Sequence, residues 1–189
     1  NLLNRPQLPG PLTVTAQRLT LGYRSPTSNI ALDLATAKAV AAEDRPIRLS
    51  GEGAFRGVPL TLDIEAGTPA DLRSPAARWP ITFSLQTPDA SLIARGTAAL
   101  QSRTGDIDLQ VTLRGERLNR LDPVLGWQMP ALGPYELTGR VSNQADGIAL
   151  KDFRAQLGDS NVAGDVTFAL TGQRKRVAGN LTSQTIRLD

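Results

Sequence analysis

The chain has 189 residues, 40% of them apolar but only 4% aromatic, with 21 basic and 18 acidic side chains and neither histidine nor cysteine. It can therefore form no disulfide or thiolate metal site, and it lacks the usual zinc ligands and the usual general base, so a Ser-His triad cannot be assembled from it. The net charge of +3 is scattered rather than gathered in a stripe, which argues against nucleic acid as a partner, and no run approaches the roughly 20 apolar residues of a membrane-spanning helix.

The length suits one sizeable domain, whose interior must come from Leu, Val, Ile and Ala. No signal-peptide pattern opens the chain, and the start at Asn1-Leu2-Leu3 reads as part of something longer. After a leader closed by Pro9-Gly10-Pro11, Leu12, Val14 and Ala16, then Leu19, Leu21 and Tyr23, predict a strand with one phase change. Ile30, Leu32 and Leu34 give the next, and the Ala-rich stretch from Ala35 to Ala42 reads as strand fading into a loop, because Ala favours helix while the surrounding rhythm is that of strands. Ile47, Leu49, Gly51, Gly53 and Phe55 alternate on one face, Arg56-Gly57 turns the chain, and Val58, Leu60, Leu62 and Ile64 return it.

Thr68 at an N-cap and Pro69 at the first helical position predict a short helical turn. Trp79, Ile81, Phe83 and Leu85 form a strand, with Pro80 tolerable near its start. Leu92, Ala94, Gly96, Ala98 and Leu100 are expected to pair with Ile107, Leu109, Val111 and Leu113 across Arg103-Thr104-Gly105, with Asp106, Asp108, Gln110 and Thr112 on the opposite face of the second strand. Leu118, Leu121 and Leu125 mark one short helix near 116–126, interrupted at Asp122-Pro123 and stopped by Gly126. An irregular loop from Trp127 to Pro134 follows.

Four strands close the chain: Tyr135 to Asn143, Gly147 to Gly158, Asn161 to Leu170 and Arg176 to Leu188. The breaks between them, at Ala145-Asp146-Gly147, Gly158-Asp159-Ser160-Asn161 and Thr171-Gly172, favour tight antiparallel returns. In the second, Ile148 and Leu150 are out of phase with Phe153, Ala155 and Leu157, so a β-bulge near Lys151-Asp152 is needed to restore a common apolar face. The fourth repeats the slip between Leu181 and Ile186. Repeated slips predict a strongly curved and twisted sheet.

Here the sequence also resembles a family. Leu132-Gly133-Pro134-Tyr135-Glu136-Leu137-Thr138-Gly139, Leu150-Lys151-Asp152-Phe153, the run LGDSNVAGDV from Leu157 to Val166, and Leu181-Thr182-Ser183-Gln184 are similar to the C-terminal part of AsmA-like proteins. Arg174-Lys175-Arg176 departs from the Arg-Pro or Lys-Pro pair expected before the last strand. The Leu-rich helix before a P-x-x-G-P loop and the turn Arg56-Gly57-Val58-Pro59-Leu60 extend the likeness to most of residues 30–188. The resemblance implies an all-β, mainly antiparallel groove, read as one segment, 1–189, of a longer periplasmic body, with possible sub-units at 12–114 and 115–189. It implies an inner-membrane anchor outside this stretch, a Gram-negative envelope, and phospholipid or another acyl-chain lipid as partner.

Chemical sites fare poorly. Gly158-Asp159-Ser160 matches the opening of a GDS esterase motif, but Ser160 has no histidine to take its proton, so a turn bonded to its own backbone is the better reading. Asp106 and Asp108, about 7 Å apart by strand geometry, suit an acid pair or calcium ligands on paper, yet carboxylates on an outer strand face are ordinarily solvated. Gly51-Glu52-Gly53 lacks the third glycine and the helix of a dinucleotide fingerprint and reads as a place where the strand bends or packs closely. Arg174-Lys175-Arg176 reads as a solvated turn rather than a headgroup contact.

No enzyme, cofactor or metal is expected. The predicted groove lining is Leu49, Phe55, Leu60, Leu62, Ile64, Phe83, Leu85, Ile107, Leu109, Val111, Leu113, Leu137, Val141, Val166, Phe168 and Leu170, some of them plain core, especially beneath the helix carrying Leu118 and Leu121. A dry core between two sheets is the competing reading of the same stripe. The competing function is an assembly module that binds envelope proteins through strand edges.

Overall fold

The alternation that runs through the sequence becomes strand wherever a neighbour can complete the backbone hydrogen bonds. The computed structural model describes residues 10–25, 28–72, 78–99, 106–126, 128–144, 147–169 and 176–185. The leader before Gly10, Leu100, Ile186, Leu188 and the expected turns at Arg103-Thr104-Gly105, Ala145-Asp146 and Thr171-Gly172 lie outside them, as do Arg174 and Lys175.

Eleven strands follow one another: β1 (Leu12–Ser25), β2 (Ser28–Ala42), β3 (Arg45–Phe55), β4 (Val58–Ala66), β5 (Trp79–Gln86), β6 (Ala90–Ala98), β7 (Ile107–Gly115), β8 (Tyr135–Gln144), β9 (Gly147–Leu157), β10 (Ser160–Ala169) and β11 (Arg176–Thr182). They form one sheet in chain order, every neighbouring pair antiparallel, with β1 and β11 as its two outer strands. The sheet is open, not a barrel. No crossover is needed, because each strand pairs with the one before it.

Phase changes bend it. In β1 the backbone of Arg18 takes φ 56°, so that Ala16 and Leu19, three residues apart, both pack against one cluster. The matching change in β2 falls between Leu34 and Thr36, where its register against β3 slips. In β9 the expected bulge is present: Gly139 of β8 stands opposite two residues where one would do, and Asp152 takes φ 50°. Ile148 and Leu150 before it and Phe153, Ala155 and Leu157 after it are thereby returned to one face, as a bulge residue in the left-handed region does.

Two expectations are corrected. The Ala-rich stretch does not fade into a loop, since β2 runs to Ala42 and is paired with β1 on one side and β3 on the other; ladders on both flanks outweigh the helix preference of alanine. The last strand ends at Thr182, short of Leu188. Beyond it Gln184 N–H donates to Asn161 Oδ1 at 3.0 Å and the Ser183 hydroxyl to the Asn161 carbonyl at 2.6 Å, so a side chain replaces the regular ladder.

The helical segments are short. In α1 (Pro69–Leu72) the Thr68 hydroxyl accepts from Asp71 N–H at 3.2 Å while the Asp71 carboxylate accepts from Thr68 N–H at 2.8 Å, a reciprocal cap. Between β7 and β8 a 3-10 turn (Leu118–Leu121) runs into α2 (Asp122–Leu125), and Gly126 ends it in the left-handed conformation at φ 80°, as the sequence predicts.

Candidate apolar site

Residues directly opposed in an antiparallel ladder share a face, so the registers state which side chains lie together. One row runs unbroken across ten strands: Ala16, Ala37, Gly51, Leu62, Leu85, Leu92, Leu113, Leu137, Ala155, Val162. A second passes through Leu49, Ile64, Phe83, Ala94, Val111 and Gly139. A third joins Gly96, Leu109, Val141, Leu150, Val166 and Gly179. Of the other predicted lining residues, Leu60 opposes Gly53, Phe55 opposes Leu32 and Val58, Ile107 opposes Ala98, and Phe168 opposes Ile148 and Val177. Fifteen of the sixteen thus fall on a single face; Leu170 lies outside the described residues.

That face is not uniform. Leu60 and Leu62 are buried and, with Leu34 and Ala37, form a packed cluster to which Phe55, Ile64, Phe83 and Leu85 attach. These are core residues, carried by β2 to β5. Leu49, Ile107, Leu109, Val111, Leu113, Leu137, Val141 and Val166 are half-buried. Toward the outer strands exposure rises, to 51% at Leu12 and 59% at Leu181.

Gly51 and Gly53 explain the tightest point. A Cβ on Gly53 would lie 2.0 Å from the Asp33 carbonyl oxygen, and one on Gly51 would lie 3.0 Å from that of Thr36 and against the Leu34 side chain. Both glycines let β2 and β3 approach, and Leu34 falls to 1% exposure. The sequence reading placed Leu34 in an alternating strand but not among the lining residues. Its signal was the Gly-x-Gly facing it, which is legible only once the register is known.

The opposite face is polar and cross-braced. Arg48 pairs with Glu65 at 2.9 Å, Arg114 with Glu136 at 2.7 Å, and the Arg140 guanidinium grips both Asp108 oxygens, Nε to Oδ1 at 2.6 Å. The Arg140 hydrogen bond holds the Asp108 carboxyl below its usual range. Asp106 and Asp108 therefore do not stand as a free acid pair, and no acidic cluster suited to a metal ion occurs among the described residues. Ser160 opens β10 opposite Leu157, buried beside the Gly158-Asp159 turn. Burial, with the Asp89 carboxylate second, pushes the Tyr135 phenol up.

A depression of about 800 Å³ crosses β1 to β4 and reaches the β5–β6 turn, touching Leu19, Leu34 and Leu60 together with Asp33, Glu52 and Thr61. None of the described helices is long and apolar enough to cross a membrane.

The chain is similar to the AsmA family protein YhjG of Escherichia coli (strain K12), with 23% identity over 173 residues that take in 89% of this chain. It spans 25% of that relative's length. No family model matches, and no solved structure matches.

Proposed function

We propose, from this likeness to an AsmA family protein, that the chain is an AsmA-like segment of a periplasmic lipid carrier, sheltering phospholipid acyl chains as they pass between inner and outer membranes. The observation that carries this is the apolar face itself: one row continues across ten strands of a single sheet, two more cross six strands each, and the sheet packs on no second layer among the described residues. Half-buried aliphatic side chains on such a face can still gain by covering hydrocarbon, at about 0.8 kcal/mol per CH₂ removed from water. A bilayer offers a chain the same gain, so moving between bilayer and trough costs little, as a carrier requires. A lining of aliphatic side chains with few aromatics suits a surface that accepts chains without selecting them, with headgroups left at the wet opening.

The test is lipid extraction and native mass spectrometry of the purified protein. Co-purifying phospholipid is expected, and its absence from material prepared without detergent would sink the reading.

A second reading has its own observation. The outer strand β11 is exposed at every residue, with Val177 69% and Leu181 59% exposed; among the described residues no strand covers its outer edge, and such an edge can take an added strand from another protein. In this reading the chain is an assembly module that binds envelope proteins. Photo-crosslinkers at Val177 capturing protein, with no lipid bound, would favour it.

A further inference from the structure

The excursion from Glu116 to Gly133 leaves the end of β7 and returns at the start of β8, yet it touches the β3–β4 turn. The Arg56 guanidinium, in the β3–β4 turn, donates from Nη1 to the Val124 carbonyl oxygen at 3.2 Å and lies 5.4 Å from the centre of the Phe55 ring. Phe55 belongs to the apolar face, so the last turn of α2 is held on that side of the sheet. To get there the segment must pass the ends of β4, β5 and β6, each roughly 4.8 Å wide.

The excursion is built as a unit. Glu116 N–H reaches the Asp89 carbonyl at 3.4 Å and Leu118 N–H the Leu132 carbonyl at 2.8 Å. A Cβ on Gly133 would sit 1.8 Å from the Glu116 carbonyl oxygen, so its two ends are pressed together. Asp122 holds the far turn, accepting Met129 N–H on its side chain and Gly126 N–H on its backbone, both at 2.8 Å. Leu118, Leu121 and Val124 are half-buried. The Val124 carbonyl is one that a helix end leaves unpaired, and Arg56 supplies its partner from 68 residues away.

We propose that residues 116–126 and 128–133 are an end-cap on the apolar trough, hinged where Glu116 meets Gly133 and latched shut by Arg56, so that an acyl chain leaves or enters at this end only when the latch opens. The proposal rests on the carrier reading for its cargo, but the latch can be measured without lipid.

The variant is Arg56→Asn. Arg56 has φ 50° and Gly57 φ 81°, a turn in which Asn-Gly is favoured, so the hairpin is kept while the guanidinium is lost. Amide hydrogen exchange should quicken roughly tenfold in 118–126 and stay unchanged in β3 and β4. Release of a fluorescent phospholipid to phosphatidylethanolamine/phosphatidylglycerol vesicles should accelerate, with the amount bound unaltered. Unchanged exchange in 118–126 would overturn the latch, and faster exchange with unchanged release would overturn the gate. If neither protein binds lipid, the carrier reading falls, and the exchange comparison decides the latch alone.

Discussion

Asp152 and Asp165 meet across the β9–β10 ladder, and the backbone N–H of Asp152 donates to Asp165 Oδ1 at 2.8 Å. The bulge at Asp152 takes that N–H out of the ladder, and the carboxylate opposite supplies the acceptor. Phase, curvature and polar satisfaction are thus settled at one point. Asp165→Ala should destabilise the protein by about 0.5–1.5 kcal/mol, the modest end because the site is wet, and Asp165→Asn should keep most of the bond. Asp152→Gly should be neutral or stabilise by up to about 1 kcal/mol, since the side chain is held at φ 50°. Urea unfolding midpoints of the three variants check this; an Asp165→Ala protein as stable as its parent would show that water replaces the carboxylate without loss.

Gly53 and Leu34 depend on each other in the packed end of the sheet. Gly53→Ala places a methyl against the Asp33 carbonyl, a contact of 2.0 Å before relaxation, and should cost about 1–3 kcal/mol as an overpacked site. Leu34→Ala empties a position that is 1% exposed and should cost about 2–5 kcal/mol. Val177→Ala, at an exposed position of β11, should stay within about 0.5 kcal/mol. Thermal unfolding ranks them. Equal losses at Leu34 and Val177 would mean that the apolar face is loosely packed throughout.

The sequence shows the strands well because alternation is local: each strand announces its faces without knowledge of its partner, and the slip between Leu150 and Phe153 reveals the bulge for the same reason. What stays hidden is non-local. The ten-strand row needs every register at once, the burial of Leu34 needs the glycines of β3 brought opposite it, and the Arg56–Val124 contact joins positions 68 residues apart with no periodicity to mark it. The Ala-rich half of β2 misleads because propensity speaks for the isolated segment, whereas the ladders on both its sides decide.

The Asp108–Arg140 pair gives a pH dependence with a definite sign. The folded carboxyl is held below its ordinary value by the Arg140 hydrogen bond, so the unfolded chain binds a proton first as pH falls. The pair therefore contributes stability above the ordinary aspartate value, about 3.9, and loses it as pH falls through the lower folded value. Asp108→Asn should be less stable than the parent at pH 7, and the two should converge in acid. Since the pair is solvent-exposed, added salt should shrink the gap at pH 7 as well. Melting temperatures across pH 2–7 (roughly, the window in which carboxylates titrate) provide the test, and a gap constant with pH would assign the difference to packing.

Val111 and Thr112 are neighbours on β7 that face opposite ways, Val111 in the row with Ala94 and Gly139, Thr112 opposite Ile93 and Thr138. An aspartate at either site disturbs the same strand and adds the same charge. They differ only in the side of the sheet that receives it. Unpaired charge on hydrocarbon is costly, so Val111→Asp should abolish lipid binding, and Thr112→Asp should bind as the parent does. Circular dichroism and unfolding curves must first show both variants folded, with Val111→Asp losing about 1–3 kcal/mol, because its site is half-buried rather than sealed. Comparison of lipid extracted from each then isolates the face. Equal lipid content in two folded variants would place any bound lipid elsewhere than on this row, and loss in both would trace the effect to the strand rather than to its apolar side.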